Sequence, residues 1–269
     1  SCSEDYFEID VQTTTSQIDL TLSILDEILN NALFDDYELE KKRSELLNRI
    51  RQSRDVPMNV ALENYKTMIF ENSVYSHTNK VLEKSLPKVT RENVVDYYNR
   101  ILDAKNVVVS VNGNLPADRV IQALGSSLSD KKQEEFKYSN YRVTKLTAPK
   151  AEVKTIKDLQ TAWLFMGWQT CGVSDRKDFA TLKVMNTMLG SGLSSRLYRN
   201  LREQDGLAYQ LGSSYAPKAL GGNFVTYIGT NPETLNYSKG KIKQEIENLK
   251  MEFVSDTELQ DAKDRLKGG

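Results

Sequence analysis

The sequence predicts an α+β fold of two related domains, each a mostly antiparallel sheet packed with helices and truncated at both ends. Three observations carry this expectation. Apolar spacing switches repeatedly between a period of two and a period of about 3.6 residues. A Phe-turn-Glu-Leu helix start occurs once in each half, at Phe34 and at Phe253. A polar, unperiodic stretch at 126–150 separates the halves.

Taken in order, 6–14 (YFEIDVQTT) alternates with Phe7, Ile9 and Val11 on one face, which predicts a strand. From Gln17, the residues Ile18, Leu22, Leu25, Leu29 and Leu33 recur at steps of three and four, the stripe of an amphipathic helix. A charged helix is expected over 38–53, with Leu39, Leu46, Leu47 and Ile50 inward. Another is opened by Pro57 and ends near Phe70, because proline suits a first helical turn. Thr90 caps a helix through RENVVDYYNRIL, and NVVVSVNGN at 106–114 predicts a buried strand before a helix over 116–124. Beyond the polar stretch come a strand over 159–170, helices over 178–189 and 195–204, and strands over 208–216 and 223–230. A helix opened by Pro232 runs to about Met251, and a last one is started by a capping box of Ser255 and Glu258. This gives a first domain over 1–126, a linker over 127–155 and a second domain over 156–269. The repeated order of elements points to a duplicated unit. Each half carries elements the other lacks, so the chain is expected to be the middle of a longer protein.

Composition narrows the function. Lys plus Arg number 36 against 37 acids, so no field of one sign argues for nucleic acid or an anionic membrane. No apolar run is long enough for a transmembrane helix. Cys2 and Cys171 cannot make a disulfide framework, and the compartment stays open. The single histidine, His77, cannot build a catalytic zinc site within this chain, since such sites take three protein ligands, commonly two histidines and a carboxylate. Neither a metal nor another cofactor is therefore expected in the chain itself.

The residues that invite chemistry are Arg202 and Tyr209, in RNLREQDGLAYQLGSSY. Gly206 can take the left-handed conformation that ends a helix, which places Arg202 in a last turn and Tyr209 at the start of a strand. A guanidinium and a phenol are both donors at neutral pH, and together they could hold a peptide carbonyl or the oxyanion formed from it. An arginine in a last turn also suits the helix dipole, and a tyrosine early in a strand is ordinary, so spacing leaves both readings open.

The segment GLSSRLYRNLREQDGLAYQLGSSY, 192–215, resembles the signature of the insulinase (pitrilysin) superfamily of zinc peptidases. FDDYELEKKRSELLNRIRQSRDVP, KVTRENVVDYYNRILDAKNVVVSVNGNL and VSDTELQDAKDRL resemble further family segments in the family's order. The resemblance implies a clamshell of duplicated α+β domains around a peptide chamber, with Arg202 and Tyr209 as the donors that contact the substrate backbone opposite the metal. It implies a peptide or unfolded polypeptide substrate, and a homo- or heterodimer in the intact protein. Zinc would be present in the full assembly, carried by another segment or a partner subunit, because no His-x-x-Glu-His occurs here. Arg49 stands where the family carries a glutamate ligand, with Glu45 one turn earlier, which implies a noncatalytic member. On residues alone Glu45 is a solvated helix charge. Two other classes stay in play: a structural core subunit of the same fold, and a stand-alone peptide-binding module.

Overall fold

The computed structural model describes residues 1–129, 143–153 and 159–268. Residues 130–142 and 154–155 of the expected linker, and 156–158 at the start of the expected second domain, lie outside the described residues. The chain divides into two compact units. One gathers the described residues of Ser1–Arg51 and Lys80–Asn140, the other those of Gln52–Asn79 and Tyr141–Gly269.

The first unit is helical: α1 (Ile18–Asn31), most of α2 (Asp36–Ser53), α4 (Asn79–Ser85), α5 (Arg91–Ile101) and α6 (Ala117–Ser129). Thr90 caps α5 in a reciprocal box, its hydroxyl accepting from Asn93 N–H while the Asn93 side chain accepts from Thr90 N–H. Two buttresses hold α5 on the end of α1. The Arg91 guanidinium donates to the carbonyls of Phe34 (3.0 Å) and Leu33 (2.9 Å), and Tyr98 meets the Phe34 ring edge-on at 4.9 Å. An ion pair between Arg119 and Asp19 joins α6 to α1. The helix α6 passes through Gly125 to Ser129, beyond the expected end at Leu124. One helical glycine costs only about 1 kcal/mol, less than burial of Leu124 and Ser127 can offset.

The two strands expected here are not formed. Residues 6–14 make only an isolated bridge, Cys2 with Phe7, and 106–114 enter no ladder among the described residues. Their apolar alternation is real, yet Phe7, Ile9, Val108 and Val111 stand exposed. Alternation marks a segment fit for a sheet, but the ladder needs a neighbouring strand, and none lies beside them among the described residues of this unit.

The second unit is built on a three-stranded antiparallel sheet in the order β1-β3-β2, with β1 at Ala162–Thr170, β2 at Gln210–Ala216 and β3 at Gly222–Thr230. Every residue of the central strand except Tyr227 is buried, because both faces of the sheet are covered. On one face Phe224 and Ile228 pack with Leu189 of α7 (Arg176–Gly190), Ile242 of α8 (Leu235–Met251), and Leu197, Leu201 and Tyr215. On the other, Val225 meets Tyr65, Ile69, Phe70 and Tyr75 from α3 (Pro57–Ile69) and the turn after it. The helix α9 (Asp256–Gly268) packs against α7.

The observed units depart from the expected division into 1–126, 127–155 and 156–269: α6 carries 127–129 into the first unit, and two further segments join the second. Residues 52–79 belong with the sheet. Tyr65 stacks on Phe165 of β1 at 6.0 Å, and its hydroxyl accepts from Asn223 Nδ2 at 3.2 Å, where burial pushes the phenol pKa up to about 12. Residues 143–153 are also tied to this unit: Val143 and Leu146 pack against the same cluster. Gln169 of β1 accepts from Leu146 N–H (2.9 Å) and donates to the carbonyls of Thr144 (2.8 Å) and Ile69 (2.7 Å). A polar composition hid these two apolar anchors.

Candidate functional site

The site begins where α7 ends. After Gly190 a short loop leads to Ser195, whose hydroxyl donates back to Gly192 O at 2.7 Å and which is almost fully buried. A helical segment then continues as a π-helical turn, Tyr198–Gln204, where a regular α-helix was expected. The widened turn is visible in Asp205 N–H, which donates to Asn200 O five residues back (3.2 Å), and in Leu207 N–H, which donates to Leu201 O (2.8 Å). Leu197 and Leu201 are fully buried and pin the turn to the core. Gly206, at φ +63°, reverses the chain in the left-handed conformation, as the sequence predicts.

Polar ties fix this turn to the neighbouring helices. Arg196 makes a two-pronged bond to Glu258 of α9, Nε to Oε1 at 2.7 Å and Nη2 to Oε2 at 2.6 Å. Asn200 donates to Glu245 of α8 at 2.8 Å. Lys241 Nζ, also on α8, lies 3.1 Å from Asp205 Oδ2, at ion-pair distance without hydrogen-bond alignment. Asp205, ahead of Tyr237, holds that ammonium above its usual pKa.

The Glu258 carboxylate was expected to complete a capping box with Ser255. Only half of the box forms: Glu258 N–H donates to Ser255 Oγ at 3.2 Å, while the carboxylate faces Arg196. A charge-assisted two-pronged bond is the stronger of the two alternatives. The Arg196 hydrogen bond, opposed by desolvation, lowers the Glu258 pKa, so the pair contributes stability above the usual carboxylate range and loses it as pH falls through the depressed folded value. Glu258→Gln should therefore lower unfolding free energy by about 2 kcal/mol at neutral pH. The deficit should shrink as pH drops below about 4. Urea titrations read by tryptophan fluorescence check this, since both tryptophans, Trp163 and Trp168, lie on β1. A deficit equal at both pH values would refute it.

The structure brings Arg202 and Tyr209 together through the backbone. Arg202 Nη1 donates to the Tyr209 carbonyl at 2.9 Å, Tyr209 N–H donates to Gly229 O of β3 at 3.1 Å, and the Leu207 carbonyl accepts from Thr230 Oγ1 at 2.5 Å. The guanidinium also sits over the Tyr198 ring, 5.3 Å from its centroid. The Tyr209 side chain is 70% exposed. One guanidinium edge is thus fixed to the strand start from which the phenol projects. Sequence reasoning missed Tyr198, although its spacing of four from Arg202 on one helix face was the available signal.

No group among the described residues fits a catalytic zinc. His77 is exposed and is the one histidine. Among the described residues the one candidate ligand group is Cys171, Asp175 and Asp178, with ligand atoms within 4.8 Å of one another. It offers no imidazole, and Asp175 already accepts from Asp178 N–H at 3.1 Å to cap α7. Glu45 is an exposed helix charge, its pKa lowered by the hydrogen bond from Lys42 at 2.7 Å.

With this geometry in hand, the family described as the peptidase M16 inactive domain matches residues 88–266. The chain belongs to the peptidase M16 inactive-domain family. It is 26% identical over 249 residues to an uncharacterised zinc protease of Rickettsia felis, covering 93% of this chain and 59% of the relative. It is 25% identical over 274 residues to the non-peptidase homologue YmxG of Helicobacter pylori, covering 97% of this chain and 62% of that protein. The fold matches the crystal structure of a protease from Helicobacter pylori with a TM-score of 0.85 at 19% identity, over 95% of this chain and 62% of the other. The M16 chain thus spans about three-fifths of the length of these relatives. The family assignment agrees with the resemblance carried by 192–215 and accounts for an α+β fold of helices on an antiparallel sheet.

Proposed function

We propose that this chain forms the metal-free, peptide-gripping side of an M16 peptidase assembly, opposite a zinc-bearing half supplied by another segment or a partner subunit. In that reading the intact protein is a homo- or heterodimer of duplicated α+β domains, and its substrate is a peptide or unfolded polypeptide. The carrying observation is the Arg202 guanidinium locked onto the Tyr209 carbonyl, with the Tyr209 phenol standing in solvent at the same strand start. Arg202 has five N–H donors, so the internal bond leaves others for a substrate carbonyl, and the phenol adds one beside them. By itself the chain should not cleave peptides.

The test restores the metal-bearing half and compares Tyr209→Phe with wild type. Loss of a donor that acts in the transition state lowers kcat by about 10²–10³-fold. The exposed phenol makes no hydrogen bond among the described residues, so thermal unfolding should stay unchanged. Full turnover in Tyr209→Phe would remove this residue from the mechanism.

A second reading, a noncatalytic structural subunit, is favoured by the name of the Helicobacter relative, a non-peptidase homologue, and by the arginine at position 49. Calorimetric titration of the chain with an extended peptide separates the two, because a scaffold predicts no heat of binding.

A further inference from the structure

We infer that Tyr198 is a positioning residue for Arg202: its ring is the platform that holds the guanidinium edge-out toward a bound polypeptide. This rests on the peptide-gripping reading and deepens it. Tyr198 opens the π-helical turn, is half-buried, and lies four residues before Arg202. Its ring carries the guanidinium at 5.3 Å. A ring engages the flat face of a guanidinium, whereas hydrogen bonds use its edge, so the two contacts do not compete. Nη1 is fixed to Tyr209 O at 2.9 Å, and with Cζ held over the Tyr198 ring at 5.3 Å the side chain is restrained by two contacts. An exposed arginine otherwise samples many rotamers, and ordering it on binding weakens affinity. Pre-ordering by the ring removes part of that cost. The hydroxyl of Tyr198 has no part in this, so phenylalanine should serve equally.

The experiment uses the whole chain with two readouts. The Arg202 Nε–Hε NMR resonance, assigned by its loss in Arg202→Lys, should be shifted upfield by the ring in wild type and in Tyr198→Phe. In Tyr198→Leu it should move to the position of a free arginine. Affinity for a fluorescein-labelled unstructured peptide, read by anisotropy, should fall about two- to fivefold in Tyr198→Leu and hold in Tyr198→Phe. An unmoved resonance in Tyr198→Leu, or a moved one with unchanged affinity, overturns the positioning role. So does an equal affinity loss in Tyr198→Phe and Tyr198→Leu, which would signal general damage to the turn. An Arg202→Ala arm separates the underlying reading: if it binds peptide like wild type, or wild type binds none, the gripping function itself fails. The wild-type ring shift would survive that failure.

Discussion

Leu201→Ala should lower the unfolding free energy of the sheet-bearing unit by about 3 kcal/mol. Leu201 has no exposed surface and is one of the buried residues around Phe224, Ile228 and Ile242. Its removal loses the transfer energy of the side chain and leaves a cavity, because β3 is covered on both faces and cannot collapse inward from either. The same residue lies inside the π-helical turn, one position before Arg202, and its carbonyl accepts from Leu207 N–H to close the reversal. The substitution should therefore loosen the candidate site before it unfolds the unit. Urea denaturation followed through Trp163 and Trp168 measures the first effect, and hydrogen exchange at Leu207 and Tyr209 the second. A loss below about 1 kcal/mol would show that the turn is not anchored through this side chain.

Gly190→Ala carries the second large effect, and two opposing terms decide its sign. In a helix, alanine is favoured over glycine by about 1 kcal/mol. Here an added Cβ would fall 2.3 Å from Ser213 N, 2.6 Å from Ser213 Oγ and 2.7 Å from Gly212 C. Two of those atoms are backbone of β2 and cannot step aside as a flexible side chain would. The position is also held from the other side, since Ser213 Oγ bonds to Asn186 of α7, 2.8 Å to Oδ1 and 3.2 Å to the carbonyl. Overpacking of this kind costs about 1–3 kcal/mol, at the upper end where backbone must move. The net expectation is a loss of about 2 kcal/mol despite the propensity gain. A stability equal to or above wild type in the same urea assay would mean that α7 can slide off β2 freely.

Much of the second unit was legible in the sequence. The strands now seen at Ala162–Thr170, Gln210–Ala216 and Gly222–Thr230 were expected within a few residues, because alternation, flanking glycines and proline act locally. Arg202, Gly206 and Tyr209 were legible as a helix end, a reversal and a strand start for the same reason. What the sequence missed was partnership. Residues 6–14 and 106–114 have the pattern of strands but no ladder among the described residues. Glu258 had the spacing of a capping box, yet its carboxylate went to an arginine 62 residues away.

The sequence by itself determined where most of the helices lie, that a single histidine is available to any metal, and which family segment carries Arg202 and Tyr209. These follow from short-range spacing, caps and residue counts. Only the tertiary structure decided that α3 covers one face of the sheet, that the turn before Gly206 widens into a π-helix, and that Arg202 rests between the Tyr198 ring and the Tyr209 carbonyl. Such contacts depend on which surfaces meet once distant segments pack, and a sequence pattern states what a surface is suited to without stating what will lie against it.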